Sequence, residues 1–429
     1  MAPRAGAELD GHTIVVDLGF GDAGKGTVVD WLCALGGHRA VVRFNGGAQA
    51  AHNVVAPDGR HHTFAQFSSG TLTPGVATHL SRFMLVDPLA LAAEADHLAA
   101  IGVPDALDRL TVDADALVTT PYHQAANRAR ESARGAGRHG SCGMGVGETA
   151  AYALANPGWA PRAADCADPV RLRRLLGRLR EALEAELGPL EAPPVADCAA
   201  VFGAFAERVR IVDGAARLRH LLGAGPVVFE GAQGVLLDEW HGLHPYTTWS
   251  TTTAANARAL LAGAGADGAT LGVVRTYTPR HGPGPLPTED PALLAALGEA
   301  HNTTGRWQGA FRTGHFDAVL HRYAVAATGG VDAVAVTHTD APHRARLGMC
   351  RAYDTDQGRC AELPGAVVGD LAAQERLTRR LEEVRPRVEA VDPGAWCEAV
   401  AAELGAPCVL SSSGPARDDK RRTTAMAPA

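Results

Sequence analysis

A short apolar run rich in β-branched residues, residues 13–18, feeds into Gly19-Phe20-Gly21-Asp22-Ala23-Gly24-Lys25-Gly26 and then into Lys25–Leu35. In that last segment Val28, Val29, Leu32 and Leu35 recur at helical spacing. Strand, glycine-rich turn and helix in this order restrict the chain to an α/β layout with an anion-binding turn. Glycines let backbone N–H groups converge on an anion, and the helix N-terminus adds a favourable dipole. Lys25 adds a point charge for phosphates. The spacing matches G-x-x-x-x-G-K, but Gly26 stands where a Ser or Thr would ligate magnesium. Asp22 lies inside the loop. A carboxylate in a phosphate cradle is repelled unless a metal or proton intervenes, so Asp22 points to chemistry at that spot.

Further buried strands are predicted over residues 40–44, 226–230, 269–275 and 331–337, and helices over 89–101, 172–187 and 376–391. The 172–187 segment has a leucine stripe and a mixed-charge face, as expected of a surface helix. Residues 191–195 read as a loop. Alternating strands and helices predict a mostly parallel sheet. No internal repeat or linker cuts the chain, and the polar tail 418–429 is expected to be disordered.

Over 429 residues the net charge is −7, which argues against a nucleic-acid-binding surface. The eight cysteines form no C-x-x-C pair, so neither a zinc site nor a thioredoxin-like motif is indicated. The N-terminal residues lack the apolar core of a signal peptide, and no run of 18 apolar residues occurs. A cytoplasmic protein making no membrane contact is the expectation.

GDAGKG followed by VVRFNGGAQAAHN resembles the N-terminal signature of the adenylosuccinate synthetase family. Similar blocks follow in order: FEGAQGVLLD at 229–238, HPYTT at 244–248, YTPR at 277–280, GPLPTE at 284–289, TTGR at 303–306 and SSGP at 412–415. The resemblance spans residues 13–417. It implies one large domain, residues 1–417, around a mainly parallel central sheet, with a helical subdomain near 88–210. It also implies a homodimer that joins IMP and L-aspartate at the expense of GTP, with Mg²⁺.

By the same resemblance, Asp22 is the base that deprotonates the acceptor and, with Ala51, a magnesium ligand. Lys25 neutralises the transferring phosphoryl group, and His52 bonds it as an acid. Gly21, Gly24, Lys25, Gly26, Asp340, Ser413 and Gly414 are the nucleotide-binding candidates. Gln49, Cys142, Gln233, Leu237 and Thr248 are those for the acceptor. Thr303, Thr304, Arg306 and Arg312 are those for the amine substrate.

Departures from the family pattern cluster at the acceptor and amine sites. Gln49 replaces an asparagine, Ala51 a glycine, Cys142 a phosphate-contacting threonine and Met144 an arginine. Asn156 aligns near the arginine that the partner subunit supplies to the acceptor phosphate, and His338 replaces a lysine in the guanine-reading segment. These changes keep two alternatives open: a ligase acting on another acceptor or amine, and a nucleotide-binding protein without activity. Retention of both Asp22 and His52 argues against the second.

Overall fold

The computed structural model describes residues 9–35, 37–299, 302, 305 and 307–423. Ten strands form the central sheet. In chain order they are β1 (Thr13–Asp17), β2 (Ala40–Arg43), β3 (Ala77–Leu80), β4 (Leu110–Asp113), β5 (Arg210–Val212), β6 (Val227–Glu230), β7 (Ala269–Arg275), β8 (Ala333–Thr337), β9 (Cys408–Ser412) and β10 (Lys420–Arg422). Their spatial order is β10-β9-β8-β7-β1-β6-β2-β3-β4-β5. All pairings are parallel except that of β9 with the edge strand β10. The central strands read as unbroken apolar runs because helices cover both faces of a parallel sheet; β1, β2, β6 and β8 are buried at every position.

The register brings polar strand ends together. Arg43 of β2 lies opposite Glu230 of β6, and Arg275 of β7 opposite Thr337 of β8. Ligands of open parallel sheets gather at these carboxyl ends.

Helix α1 (Lys25–Leu35) follows β1 directly. Between β3 and β5 the chain adds α2 (Pro88–Ala100), α3 (Pro121–Arg134), α4 (Val146–Ala155), α5 (Pro169–Leu187) and α6 (Val195–Arg208). These helices share a core with Leu91, Leu98, Tyr122, Leu172, Leu176, Leu179 and Phe202 at its centre. Helix α5 starts at Pro169, capped by the Asp168 carboxylate, and buries Leu172, Leu175, Leu176, Leu179 and Leu183 while its charged face stays outside. A smaller sheet holds Tyr277–His281, Phe311–Asp317, Gly348–Thr355, Gly358–Cys360 and Arg385–Ala390. Among the described residues no helix is long and apolar enough to cross a membrane.

Two expectations are corrected. The helix predicted over 376–391 runs instead from Leu371 to Glu383, and Arg385–Ala390 forms an edge strand against Gly348–Thr355. Pro386 decides the matter: it lacks the N–H a helix needs and is tolerated on a sheet edge. The tail expected to be disordered from 418 instead closes the sheet with β10. There the Lys420 ammonium donates to the carbonyls of Gly414 (3.0 Å) and Ala416 (2.7 Å). Residues 424–429 of that tail lie outside the described residues.

Candidate active site

Asp17, the last residue of β1, organises the glycine-rich turn from below. Its carboxylate accepts from the N–H groups of Gly19 and Ala23, both at 2.8 Å, and from Lys25 Nζ at 3.0 Å. The same ammonium donates to the Gln233 carbonyl at 2.6 Å. Lys25 is thereby aimed rather than left to sample rotamers. Gly26 has a packing reason. A Cβ there would sit 2.7 Å from His52 Cβ and 3.0 Å from Ser69 Oγ, so the residue that usually carries the magnesium-binding hydroxyl has given way to His52. Gly234 is equally constrained, since its Cβ would fall 2.2 Å from the Gly19 carbonyl oxygen. The 231–234 loop can therefore lie directly on the phosphate turn.

Asp22 adopts φ 65°. Its Oδ2 accepts from Arg275 Nη2 at 2.8 Å and Asn302 Nδ2 at 3.0 Å, with His281 Nε2 at 3.9 Å. Arg275 also donates through Nε to the Asp22 carbonyl at 2.5 Å and through Nη1 to Glu299 at 2.7 Å and to the Tyr277 hydroxyl. Burial pushes the Asp22 carboxyl up, but the Arg275 guanidinium, followed by His281 and His338, holds it well below the usual carboxylate range. Asp22 is thus held in its ionised form and is about one quarter exposed. A single ionised carboxylate is the kind of share a protein contributes to a magnesium ion that is otherwise held by phosphates and water.

His52 projects from the strand His52–Val55, and its Nδ1 lies 2.6 Å from Glu230 Oε1 at the end of β6. Glu230 also accepts from the Ser69 N–H at 3.0 Å and from the Ser69 hydroxyl. Burial raises the Glu230 carboxyl, but the charge of Arg43 and the bond from His52 overcome it and leave it at about 2. Burial lowers His52 despite Glu230. An ionised carboxylate only accepts, so Nδ1 carries the proton, and Nε2 of neutral His52 is left as an acceptor.

Asp22, Lys25, His52, Arg275, Tyr277, His281, Glu299 and Asn302 line one cavity of about 640 Å³, together with Gly21, Gly24, Gly26, Gln49, Ala51, Gln233, Leu237, Asp340 and Gly414 from the sequence candidates. Asp22, Gln233 (φ 58°) and His338 (φ 56°) are the non-glycine residues with positive φ among the described residues, and all three line it. Backbone strain of this kind persists where the surroundings over-determine it, most often at functional sites.

Four candidates sit elsewhere. Thr248 is half-buried outside the cavity lining, and its Oγ1 accepts from Gln233 Nε2 at 3.4 Å. Ser413 is exposed and turns its hydroxyl to the Asp419 carbonyl. Cys142 is outside the cavity lining, in a segment that Asn127 fastens through Ser141 and Gly145. Arg312 grips Glu289 with Nε and Nη2 and the carbonyls of Gly282 and Gly284 with Nη1. Thr303, Thr304 and Arg306 lie outside the described residues; Asn302, Gly305 and Gln308, from the same loop, line the cavity. Sequence reasoning missed Glu230, Arg43, Arg275, His281 and Glu299. Glu230 carried a legible signal, being an acid at the end of an otherwise apolar strand.

The family model for adenylosuccinate synthetase matches residues 14–420. The adenylosuccinate synthetase of Acidithiobacillus ferrooxidans is 33% identical, covering 96% of this chain and 98% of the relative. That of a Cyanothece strain is 36% identical, over 83% and 80% respectively. Fully ligated adenylosuccinate synthetase from Plasmodium falciparum superposes with a TM-score of 0.83 at 20% identity, covering 96% of this chain and 100% of that one. Succinoaminodeoxyadenylate synthetase of cyanophage S-2L, bound to dGMP and to dATP as an energy donor, superposes with a TM-score of 0.61 at 19% identity, covering 96% and 95%. With a family model covering most of its length and a relative one-third identical nearly end to end, the chain belongs to the adenylosuccinate synthetase family and is a carbon–nitrogen ligase.

Proposed function

We propose that this ligase transfers the γ-phosphoryl group of GTP to the ring carbonyl oxygen of a 6-oxopurine and displaces it with the amine of L-aspartate. IMP is the acceptor that the family resemblance implies. One observation carries the reading: Asp22, Lys25 and Glu230-backed His52 converge on a single cavity.

A ring carbonyl oxygen leaves poorly until it is phosphorylated. Asp22, kept ionised by Arg275, accepts a hydrogen bond from the ring N–H. A carboxylate held so acidic is a weak base, so the proton passes to it only as the ring N–H grows more acidic, which happens as the ring oxygen gives electron density to the phosphoryl group. Lys25, fixed by Asp17, meets the transferring group as a point charge. A phosphoryl oxygen near Nε2 adds a second anion beside His52 and favours its doubly protonated form, with Glu230 balancing Nδ1. Magnesium, held by Asp22 with Ala51 nearby, would supply charge neutralisation for the phosphates. Asp340 would read the guanine donors from its place near Gly414 on the cavity wall. Assembly as a homodimer belongs to the same reading.

The test is GDP release by the purified protein from GTP and Mg²⁺, with and without a hypoxanthine acceptor and aspartate, with mass detection of the products. Release that requires both co-substrates, together with a succinylated purine, is expected. GTP binding without acceptor-dependent GDP release would remove the reading.

A second reading, in which the acceptor differs from IMP outside the purine ring, is favoured by the position of Cys142 away from the cavity and by Asn156, whose amide is spent on the Tyr152 carbonyl.

A further inference from the structure

Six acidic or basic side chains line the cavity among the described residues. Four of them, Asp22, Lys25, Arg275 and Glu299, belong to the network at the phosphate turn. The other two are Asp340 and Arg344, and Arg344 has no part in the chemistry described so far. Its Nη2 lies 2.8 Å from Asp340 Oδ2, and its Nη1 donates to the Leu297 carbonyl at 2.7 Å. Leu297 ends the Pro291–Leu297 helix, where carbonyls lack an intrahelical partner and a cation is welcome.

The backbone around Asp340 is fixed without Arg344. The Thr276 hydroxyl donates to the His338 carbonyl at 2.8 Å, the Ala341 N–H to the same carbonyl at 3.0 Å, and the Thr339 N–H to the Ser412 carbonyl at 3.0 Å. The Asp340 carboxylate is different: Arg344 is its one hydrogen-bonding partner among the described residues. A guanidinium bonded through two nitrogens to two separate elements is set in its plane, and the carboxylate it holds is set with it. The two side chains are 46% and 37% exposed, so the pair adds little to stability. What it supplies is orientation. An ionised carboxylate offers about four acceptor sites, of which Arg344 takes one. The rest suit two adjacent N–H donors on the edge of a planar base. Guanine presents such donors at N1 and N2, hypoxanthine keeps N1–H alone, and adenine presents an acceptor at N1.

Resting on the ligase reading above, in which Asp340 meets the guanine of GTP, we infer that Arg344 is the positioning residue for base recognition. It holds the Asp340 carboxylate where N1–H and the N2 amino group are accepted together, and so sets the preference for guanine over hypoxanthine and adenine nucleotides.

The experiment measures calorimetric affinities of GDP, IDP and ADP with Mg²⁺ for the full-length native protein, Arg344→Met, Arg344→Lys and Asp340→Asn. GDP release from GTP with a hypoxanthine acceptor and aspartate is followed alongside. The native protein is expected to prefer GDP over IDP by about tenfold or more, the size of a lost hydrogen bond to a charged group. Arg344→Met keeps the aliphatic stem and removes both donors. It is expected to narrow that preference to within about threefold, to leave ADP affinity within about twofold, and to raise the KM for GTP far more than it lowers kcat. Arg344→Lys, with a point charge in place of the fork, should recover part of the preference. Four results would overturn the inference. A native protein without guanine preference has nothing for Arg344 to set. An unchanged preference in Arg344→Met makes the pair idle, tighter GDP binding makes Arg344 a competitor of the base, and an equal loss for all three nucleotides makes its role structural. Native preference in Asp340→Asn would overturn it too, together with the assignment of Asp340. Binding reports the base site and GDP release reports the chemistry. A narrowed preference without acceptor-dependent GDP release would therefore keep the inference and reject the ligase reading.

Discussion

Glu230 Oε1 lies 2.6 Å from His52 Nδ1; Ser69 fixes the carboxylate, and the charge of Arg43, its register partner on β2, keeps it ionised. Glu230 is buried too deeply to touch a substrate, so its work is done through His52: it sets the tautomer and stabilises the imidazolium. Replacing Glu230 with Gln is expected to lower kcat by about 10²–10⁴, as loss of the carboxylate behind a catalytic histidine does elsewhere, with little change in the KM for GTP. Because Glu230 raises the His52 pKa against burial, its loss should also move the limb of the pH–rate profile set by protonated His52 to lower pH. An unshifted profile would show that Glu230 is merely structural.

Asp22 can be tested without disturbing its backbone. Asn tolerates the left-handed conformation that Asp22 adopts, whereas Ala at φ 65° adds strain. Asp22→Asn is therefore the cleaner variant. It is expected to lose about 10³ in kcat, within the range of acid–base catalysis, while binding GTP within a few-fold of the native protein by calorimetry. Since Arg275 keeps Asp22 ionised, the native rate should show no titration of Asp22 above about pH 5. Undiminished turnover by the Asn variant would remove Asp22 from the mechanism.

The phosphate turn and the central sheet were legible because local signals coincide there: β-branched runs, glycines and helical spacing all within residues 13–35. The 376–391 segment misled because Arg385–Ala390 is charged and its partner strand is some thirty residues away, so only Pro386 spoke against a helix. The site was half legible for a similar reason. Asp22, Lys25 and His52 sit in motifs, whereas Arg275 and Glu299 matter only because the end of β7 and the loop after Pro291–Leu297 meet beside Asp22. Asp22–Arg275 is a contact between residues 253 apart in sequence. Arg312 shows the converse. Its position beside a recognisable motif suggested a ligand, but its guanidinium is already committed to Glu289.

Restoring the usual hydroxyl at the phosphate turn should harm this protein. Gly26→Ser places a Cβ 2.7 Å from His52 Cβ, and neither the helix start nor the strand at His52 can yield easily. Overpacking of this kind costs about 1–3 kcal/mol. The expected outcome is lower stability in urea titration together with a loss of kcat, because His52 is displaced from Glu230. A Gly26→Ser variant as stable and active as the native protein would mean that the turn is looser than its packing indicates.

Asp317 gives the protein a pH dependence remote from the cavity. Burial pushes its carboxyl up to about 7 against the opposing bond from Tyr353, whose hydroxyl lies 2.7 and 2.8 Å from its two oxygens. The folded protein thus keeps a proton that the unfolded chain releases near 3.8. The sign follows: this contribution to stability is fully present below about pH 4 and is lost as pH rises through about 7. A shift of about three units corresponds to roughly 4 kcal/mol as an upper bound. Asp317→Asn keeps an acceptor for the Leu320 N–H, which Asp317 caps at the start of Ala318–Ala327, and removes the titration. Urea midpoints measured between about pH 5 and pH 8 should therefore fall less steeply for the Asn variant than for the native protein; parallel slopes would place that pH dependence elsewhere.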